Sequence, residues 1–502
     1  VNRISRRYFI ENTLKTMAFS GFLASGILPF SPVSARDYME EVFRIDPEQL
    51  EKILKAAGKN GGDFSEIFIE RRITRHGVFQ NGQFVDLREI SSEGLGIRIV
   101  EAATEISGYS DGVDFKKAVN IARDLSKTKM KSEKSIKMIN ILRYPEWGRG
   151  VIVVAKPFEQ IPEALRLSAL KKLSKIAKYT SNLIREITLH YTEELRVITV
   201  ANSLGIYRTD YQPLFSVGAH VISEDNGRYH RGFRQTVKRG GYELLGDTEF
   251  QKTAQEAARE SVEMLTAKPL PPGRYPVIVG EGCGELVFYR AIGRFFEARK
   301  TVDGINPLEN KLNRQIASPF VTIVDNPSYI GGPGSAHIDD EGRISTKTTV
   351  VDNGKFERLL TDTTAARERS IPFTPNARRT SYHTPPTPCI TNLFIEPGNT
   401  SPEEMIADIS RGIYIRSFMP GSVSQAGDFS FPVREAYRIE NGSIGIPIKD
   451  MIFTGNTSTI LGKIDAVGSD FFIVPGMSDP NRRLNVSWGQ PSLQFADINF
   501  TQ

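Results

Sequence analysis

A short segment, Lys268-Pro269-Leu270-Pro271-Pro272-Gly273, divides the 502-residue chain into two parts with different patterns. Proline lacks a backbone N–H donor and restricts φ, so this segment ends any helix or central strand that precedes it. Before the segment, helical periodicity alternates with strand-like runs; after it, short apolar runs are separated by turn residues. The sequence therefore predicts two domains, residues 36–268 and residues 269–502.

The part before the break favours an α/β layered domain. Apolar residues recur at helical spacing in residues 47–58, 114–126, 161–181 and 253–265, and strand-like patterns occupy residues 64–71, 94–100, 186–191 and 196–202. Lysines interleave residues 161–181, so a basic helix on a membrane surface is an alternative there. The absence of an aromatic residue from its apolar stripe favours a helix that faces the core instead.

Two Asn-Gly pairs mark hairpins in the part after the break. They lie in Asp352-Asn353-Gly354-Lys355 and in Glu440-Asn441-Gly442-Ser443, each between apolar runs. A type I′ turn needs two residues that tolerate positive φ, and Asn-Gly meets that need. The second domain is therefore expected to be mainly antiparallel β, and the whole chain to be of the α+β class.

Residues 1–35 have the pattern of a twin-arginine export signal. Ser5-Arg6-Arg7-Tyr8-Phe9-Ile10 precedes an apolar stretch from Met17 to Phe30, and Val33-Ser34-Ala35 resembles a cleavage site. This stretch is shorter than the ~20 residues that span a bilayer. We expect a periplasmic or extracytoplasmic protein with no membrane span after the signal is removed. An ordinary basic pair before a surface helix is the alternative.

Charge and cysteine content exclude some classes of function. Removing the signal takes away four basic residues and one acidic residue, so the net charge falls from +5 to +2. No extended basic face then favours a nucleic-acid partner, and the Lys-rich run at residues 126–137 is interpreted as a solvated loop. Cys283 and Cys389 are too few for a disulfide framework. They are interpreted as structural thiols, and a bridge between them stays open.

Ordered sequence blocks resemble one known family. The clearest are Asp63–Glu70, Glu93–Arg98, Ile338–Gly342, Asn376–Tyr382, Glu435–Gly442 and Gly489–Pro491. In order and spacing they resemble the TldD/PmbA metallopeptidases, formerly called modulators of DNA gyrase, and they are closer to the TldD side. Catalytic members carry His-Glu-x-x-x-His on a helix. The resemblance implies that both histidines and a later cysteine hold zinc and that the glutamate acts as general base.

This chain lacks that motif. The six positions read Tyr289, Arg290, Ala291, Ile292, Gly293 and Arg294. The resemblance places the ligands at Tyr289, Arg294 and, counting back from Gly489-Gln490-Pro491, approximately Met477. It places the base at Arg290. Arginine has no lone pair to give a metal or a proton, the phenol of tyrosine titrates near 10, and a thioether favours Cu(I). We therefore expect a degenerate site and no cofactor in this chain.

Two alternatives would preserve activity. A relocated metal site could use His337, His383 and Cys389, although lone histidines are more often hydrogen-bonded loop residues than ligands. The acidic run Asp339-Asp340-Glu341 beside His337 is otherwise interpreted as a solvated turn. The second alternative is an active helix supplied by a partner chain.

The resemblance implies a homodimer, or a heterodimer with a motif-bearing member, around a cavity. We therefore expect an exported, non-catalytic or peptide-binding subunit in which Arg290, Arg294 and Glu297 face the former metal site. Two guanidinium groups could hold a peptide carboxylate there. Alternatively, the arginines form an internal ion network with Glu285 and Glu297, or the protein is a non-enzymatic scaffold.

Overall fold

The computed structural model describes residues 47–102, 104–128, 135–137, 139, 146–147, 161–283, 289–298, 306–477 and 484–501. The predicted export signal, residues 1–35, lies outside these ranges. Within them, no helix combines the length and the apolar character needed to cross a bilayer.

Four helices of the first part match the predicted periodicities. They are α1 (Pro47–Ala57), α2 (Phe115–Ser126), α3 (Glu163–Lys178) and α4 (Thr248–Glu263). Asp114 caps α2 by accepting a hydrogen bond from the backbone N–H of Lys117, at 3.0 Å. Helix α4 begins five residues before the predicted start because Asp247 caps it in the same way, through the N–H of Glu249.

One large sheet forms the centre of the first part. Its strands are β1 (Phe64–Gln80), β2 (Gln83–Glu101), β3 (Thr104–Asp111), β4 (Glu146–Trp147), β5 (Ile184–Asn202), β6 (Tyr207–Asp225) and β7 (Arg228–Arg239). Their order is β3-β2-β1-β5-β6-β4, with β7 also paired to β6, and only β4 is parallel to its neighbour. The two strands predicted within residues 186–202 are one continuous strand, β5, which contains no glycine or proline and pairs with β1 and β6 through residues 192–195 as well.

The two faces of this sheet have different roles. Helices α3 and α4 cover one face, where Leu170, Leu173 and Phe250 pack against apolar residues of β5 and β6. The opposite face contacts loops of the second part, and there Phe68, Ile198, Val200, Ile338 and Tyr382 form a small apolar cluster. The α/β layered arrangement expected for the first part is confirmed.

The second part is rich in strands. Two helices lie wholly within its described residues, α5 (Thr363–Arg369) and α6 (Pro402–Ala407). Its strands are β8 (Lys268–Pro269), β9 (Gly273–Val279), β10 (Ile323–Asp325), β11 (Thr348–Asp352), β12 (Lys355–Phe356), β13 (Ala377–Arg378), β14 (Thr387–Pro388), β15 (Asn392–Ile395), β16 (Arg411–Phe418), β17 (Ser422–Val423), β18 (Asp428–Glu440), β19 (Ser443–Lys449), β20 (Ile452–Asn456), β21 (Ala466–Val467), β22 (Phe472–Met477), β23 (Asn485–Gln490) and β24 (Leu493–Thr501). The α+β class is confirmed.

These strands form two main sheets and one short pair. One sheet has the order β12-β11-β10-β15-β23-β22, and β13 pairs with β14. The other has the order β16-β9-β24-β20-β18-β19-β8, and a further pairing of β16 with β18 closes five of its strands into a ring. Both predicted hairpins are present: Asn353 and Gly354 have φ of 46° and 81°, and Asn441 and Gly442 have 50° and 72°.

Candidate functional site

The chain enters the former motif region from β9. After this strand, Gly280 donates its N–H to the carbonyl of Ile415 and Gly282 donates to that of Gln490, both at 2.9 Å. A side chain at Gly282, where φ is +65°, would press against Phe472 and Val474 of β22. These contacts hold the segment before the motif positions against β16, β22 and β23.

Among the described residues of the motif region, the α-helical conformation ends at Ala291. Residues 289–291 are helical, and a 3₁₀ turn from Gly293 to Phe296 follows. Tyr289 is 5% exposed and belongs to the main apolar core of the second part, together with Ala291, Ile292, Phe295 and Phe296. The hydroxyl of Thr457 donates to the carbonyl of Ala291 at 2.5 Å. Position 289 therefore has a packing role in this chain.

The three residues expected to face one site lie in different surroundings. Arg290 is half-buried, and Arg294 is exposed with its guanidinium 4.6 Å from the ring centroid of Phe295. Glu297 is buried and accepts a hydrogen bond from the backbone N–H of Ile390 at 3.0 Å. The expected regular helix does not reach Glu297, because the helical turn has already become 3₁₀ at Gly293. Helical spacing therefore cannot group Glu297 with the two arginines.

Met477, which corresponds to the zinc-binding cysteine of the family, lies at the end of a strand. Met477 is the last residue of β22 and pairs with Asn485 at the start of β23. The side chain of Asn485 donates to a carboxylate oxygen of Glu194, at 3.2 Å. The end of β22 therefore lies beside the first part of the chain.

The alternative metal ligands do not converge. Among the described residues, no three of His, Cys, Asp and Glu form a group that could hold a metal ion. His383 contacts the hydroxyl of Ser381 at 2.9 Å and the carboxylate of Asp111 at 3.2 Å. Cys389 is buried, and its backbone N–H donates to Asn376 at 2.9 Å. The structure thus makes His383 a hydrogen-bonded loop residue and does not assemble the relocated site.

Both cysteines are free thiols. The thiol of Cys283 donates to the carbonyl of Glu281, at 3.2 Å. Burial raises the pKa of Cys283 to about 12, and the neighbouring Arg234 and Arg416 only partly oppose that rise. A protonated thiol is a poor nucleophile and a poor metal ligand. The raised pKa therefore disfavours Cys283 as a nucleophile at neutral pH.

A buried ion network lies between the sheet and two loops of the second part. It consists of Glu66, Glu70, Arg98 and Arg196 from the sheet and Asp340, Glu341 and Arg379 from the loops. Arg98 contacts Glu341 at 2.5 Å, and both oxygens of Asp340 accept from Arg196, at 2.9 and 3.0 Å. The interpretation of Asp339-Asp340-Glu341 as a solvated turn is wrong, because these residues are 1–3% exposed.

Glycines on β2 make room for this network. A Cβ at Gly94 would lie 2.3 Å from the ring of Tyr382, and one at Gly96 would lie 2.6 Å from the carbonyl oxygen of Tyr382. The backbone N–H of Tyr382 in turn donates to Glu70, at 3.2 Å. The blocks around Gly94, Asp340 and Arg379 that carried the family resemblance therefore meet at one interface and have a structural role.

A second ion cluster joins α4, β7 and β18. Glu435 accepts hydrogen bonds from Arg234, from Arg259 at 2.6 Å and from the hydroxyl of Tyr437 at 2.9 Å. Burial alone would raise the pKa of Glu435, but the neighbouring guanidinium groups outweigh it and hold the pKa at about 2. Glu435 is therefore an ionised, fully bound carboxylate, and this arrangement does not suit a proton acceptor in catalysis.

Sequence reasoning missed both clusters. One signal was available: Glu66 and Glu70 alternate with Phe64 and Phe68 on a strand, which places the charges and the aromatic rings on one face. Charges on an otherwise apolar face indicate paired burial.

Comparisons with known proteins agree with this fold. The family model described as the PmbA/TldA metallopeptidase C-terminal domain matches residues 272–502, and the one for the central domain matches residues 156–265. A protein named metalloprotease TldD homolog from Buchnera aphidicola is 26% identical over 447 residues, which cover 87% of this chain and 92% of that protein. A zinc metalloprotease TldD homolog from Saccharolobus solfataricus is 31% identical over 239 residues, which cover 47% of this chain and 54% of its own length.

A solved structure shares the fold. The crystal structure of a protein from Thermotoga maritima, described as a modulator of a DNA gyrase, superposes with a TM-score of 0.73 at 22% identity. The superposition covers 90% of this chain and 99% of the other. With both family domains matched and relatives that align over most of its length, this chain belongs to the TldD/PmbA family of metallopeptidase-like proteins.

Proposed function

We propose that this chain is a non-catalytic, peptide-binding member of its family, with a degenerate zinc site. One observation carries the proposal: all four positions expected to supply ligands or a base hold Tyr289, Arg290, Arg294 and Met477 instead. The rest of the family fold is present on both sides of these positions. The change is therefore local to the former site.

The residues present do not fit a zinc ion. Tyr289 is packed in an apolar core, and the guanidinium groups of Arg290 and Arg294 carry positive charge without a free lone pair. The phenol of a tyrosine ordinarily titrates near 10, so it is a poor zinc ligand at neutral pH. No step of metal-assisted hydrolysis is therefore assigned to this chain, although relatives are named metalloproteases.

The arginines support peptide binding. A guanidinium group presents two parallel N–H donors that match the two oxygens of a carboxylate. Arg294 is exposed, and the contact with Phe295 restricts its orientation, while Arg290 is half-buried one turn earlier. A partly desolvated arginine binds an anion more strongly than a fully solvated one, because the local dielectric constant is lower. We assign a peptide carboxylate, from the C-terminus or an acidic side chain, as the group bound.

The proposal includes a partner and a location. We propose that the chain forms a homodimer, or a heterodimer with a family member that retains His-Glu-x-x-x-His, and that residues 1–35 direct its export by the twin-arginine route. The sequence pattern around Arg6 and Arg7 supports the export.

Metal analysis tests the degenerate site. We expect the purified chain, without added metal, to retain far less than one zinc per chain after gel filtration and to hydrolyse no peptide. Stoichiometric zinc that disappears in His383→Ala would overturn the proposal and restore the relocated site. Peptidase activity that requires a motif-bearing partner would instead show that the active helix comes from that partner.

Peptide binding tests the role of the arginines. Fluorescence anisotropy with labelled unstructured peptides should show weaker binding by Arg290→Ala and by Arg294→Ala. Arg290→Lys should recover only part of the affinity, because lysine keeps the charge but loses the two-pronged contact. Arg411→Ala, at an exposed arginine on β16, is the matched control. Equal binding by all these variants and the unmodified chain would favour a scaffold without a peptide site.

A further inference from the structure

Two histidines lie together on the large sheet, away from the former motif. His190 is on β5 and His220 is on the neighbouring β6, and their ring centroids are 5.0 Å apart. The register pairs His190 with Gly218 and His220 with Thr188, so the two histidines are diagonal neighbours on one face. Gly218 presents no side chain between the rings.

The spacing suits two ligands of one ion. An imidazole nitrogen binds Zn²⁺ at about 2.0–2.1 Å, so two adjacent ligand nitrogens lie about 3 Å apart. The ring centroids are 5.0 Å apart, with the planes 76° from parallel, which is close enough for one nitrogen of each ring to reach a shared ion once the side chains rotate. A third side chain, Phe233 of β7, stacks on His220 at 4.4 Å and restricts its position.

Neither ring makes a hydrogen bond to the described part of the chain. Two other histidines differ in this respect, since His76 contacts the hydroxyl of Thr192 at 3.0 Å and His383 contacts Ser381 and Asp111. A neutral imidazole carries one nitrogen lone pair that can bind a cation, and neither ring nitrogen of this pair is occupied by a hydrogen bond within the described residues.

The positive side chains near His220 do not prevent a cation from binding there, because their charges are offset or screened. Arg231 and Arg434 are the positive side chains that act on His220. Arg434 lies 3.1 Å from the carboxylate of Glu260, which offsets its charge. Arg231 is exposed on β7, where solvent screens it.

We propose that His190 and His220 form a two-ligand site for a late first-row divalent cation, Cu²⁺ or Zn²⁺, on the face of the sheet opposite helices α3 and α4. Water completes the coordination, so the ion is exchangeable. Within the described ranges, no third His, Cys, Asp or Glu side chain joins the two histidines as a ligand. Imidazole suits Cu²⁺ and Zn²⁺, whereas Mg²⁺ prefers oxygen ligands. The site is separate from positions 289–294 and does not depend on the proposed function.

Metal titration of the full chain tests the proposal. In calorimetry with CuSO₄, ZnCl₂ and MgCl₂, we expect Cu²⁺ to bind more tightly than Zn²⁺ and Mg²⁺ not to bind, following the order of divalent affinities. His190→Ala and His220→Gln should each weaken Cu²⁺ binding at least about tenfold, which is about 1.4 kcal/mol. The electron paramagnetic resonance spectrum of bound Cu²⁺ should show two nitrogen donors in the unmodified chain.

His76→Ala is the matched control, because His76 is an exposed histidine on the same face whose ring is already hydrogen-bonded. It should leave Cu²⁺ affinity unchanged. The proposal is overturned if the control loses as much affinity as the two variants, or if the two variants bind like the unmodified chain. Circular dichroism confirms that each variant is folded. If His220→Gln does not fold, His190→Ala and the nitrogen count decide the outcome.

Discussion

The guanidinium of Arg98 lies against the carboxylate of Glu66, with 3.0 Å between Nε and Oε1, and neither side chain is more than 1% exposed. The two residues are directly opposite each other on β2 and β1. Arg98 also contacts Glu341, and Glu66 also contacts Arg379, so the pair joins the sheet to two loops of the second part. Such a pair holds the two parts in one arrangement because each charge needs its partner.

Removal of one partner should destabilise the protein strongly. Arg98→Ala leaves Glu66 and Glu341 buried without their main counter-charge, and we expect a loss of about 3–5 kcal/mol in the free energy of unfolding. Denaturant unfolding followed by circular dichroism measures this. The control is Arg88→Ala, at an exposed arginine paired with Asp86, which should cost about 0–1 kcal/mol. Similar losses in both variants would contradict the structural role of the network.

Gly96 should not tolerate a methyl group. Its Cβ would lie 2.6 Å from the carbonyl oxygen of Tyr382, and backbone cannot move aside as a flexible side chain can. We expect Gly96→Ala to destabilise the protein by about 1–3 kcal/mol in the same unfolding measurement. Gly246→Ala is the control, because nothing lies within 4 Å of the added Cβ there. A neutral Gly96→Ala would show that the loop does not pack on β2.

Asp362 should make stability depend on pH near neutrality. Burial raises the pKa of this carboxyl from 3.8 to about 7, and the charge of Glu341 adds to the rise. Between about pH 4 and pH 7 the folded chain therefore holds a proton that the unfolded chain has lost. The free energy of unfolding therefore falls as the pH rises from about 4 to about 7, by up to about 1.4 kcal/mol per pH unit. The stabilisation that is complete below this range is lost once the pH has risen through 7.

Replacement of Asp362 by asparagine tests this dependence. Asp362 caps α5 by accepting from Ala365 at 2.7 Å, and asparagine can keep that bond. Asp362→Asn should therefore flatten the pH dependence of unfolding between pH 5 and pH 7. Asp114→Asn changes another helix cap whose pKa is lowered, mainly by the N–H of Lys117, and should leave the slope as it is. An unchanged slope in Asp362→Asn would count against the raised pKa.

Tyr289 should stabilise the folded chain through its packing in the core of the second part. Tyr289 is 5% exposed within the main core of the second part, so Tyr289→Ala should cost about 3–5 kcal/mol, as for other buried aromatic residues. Tyr179→Ala removes a tyrosine that is 85% exposed and should have little effect on unfolding. If Tyr289→Ala were as stable as the unmodified chain, position 289 would not belong to the core.

Export should depend on the arginine pair. Arg6→Lys combined with Arg7→Lys keeps the charge of the leader but removes the pattern that the twin-arginine route recognises. We expect the precursor to accumulate in the cytoplasm, as shown by cell fractionation and immunoblotting. A leader with Arg3→Lys is the control and should support normal export. Unaffected export of the double variant would refute the assignment of residues 1–35.

Local patterns predicted much of the fold. Both Asn-Gly hairpins of the second part formed as expected, because the turn depends on the φ preferences of two adjacent residues. The same dipeptide at Asn81-Gly82 and at Asn226-Gly227 joins β1 to β2 and β6 to β7, and it would have predicted those hairpins too. The helices were found from apolar spacing, and α4 begins earlier than predicted because its cap, Asp247, lies outside the apolar stripe.

The sequence by itself determined the local elements and the donor chemistry at positions 289–294, since arginine offers no lone pair to a metal in any fold. Only the tertiary structure decided which charges are buried, where the short helical turn ends before Glu297, and that His190 and His220 are neighbours. The physical reason is distance along the chain. Arg379 meets Glu66 across 313 positions, and such a contact follows from the packing of loops on a sheet and has no local sequence pattern.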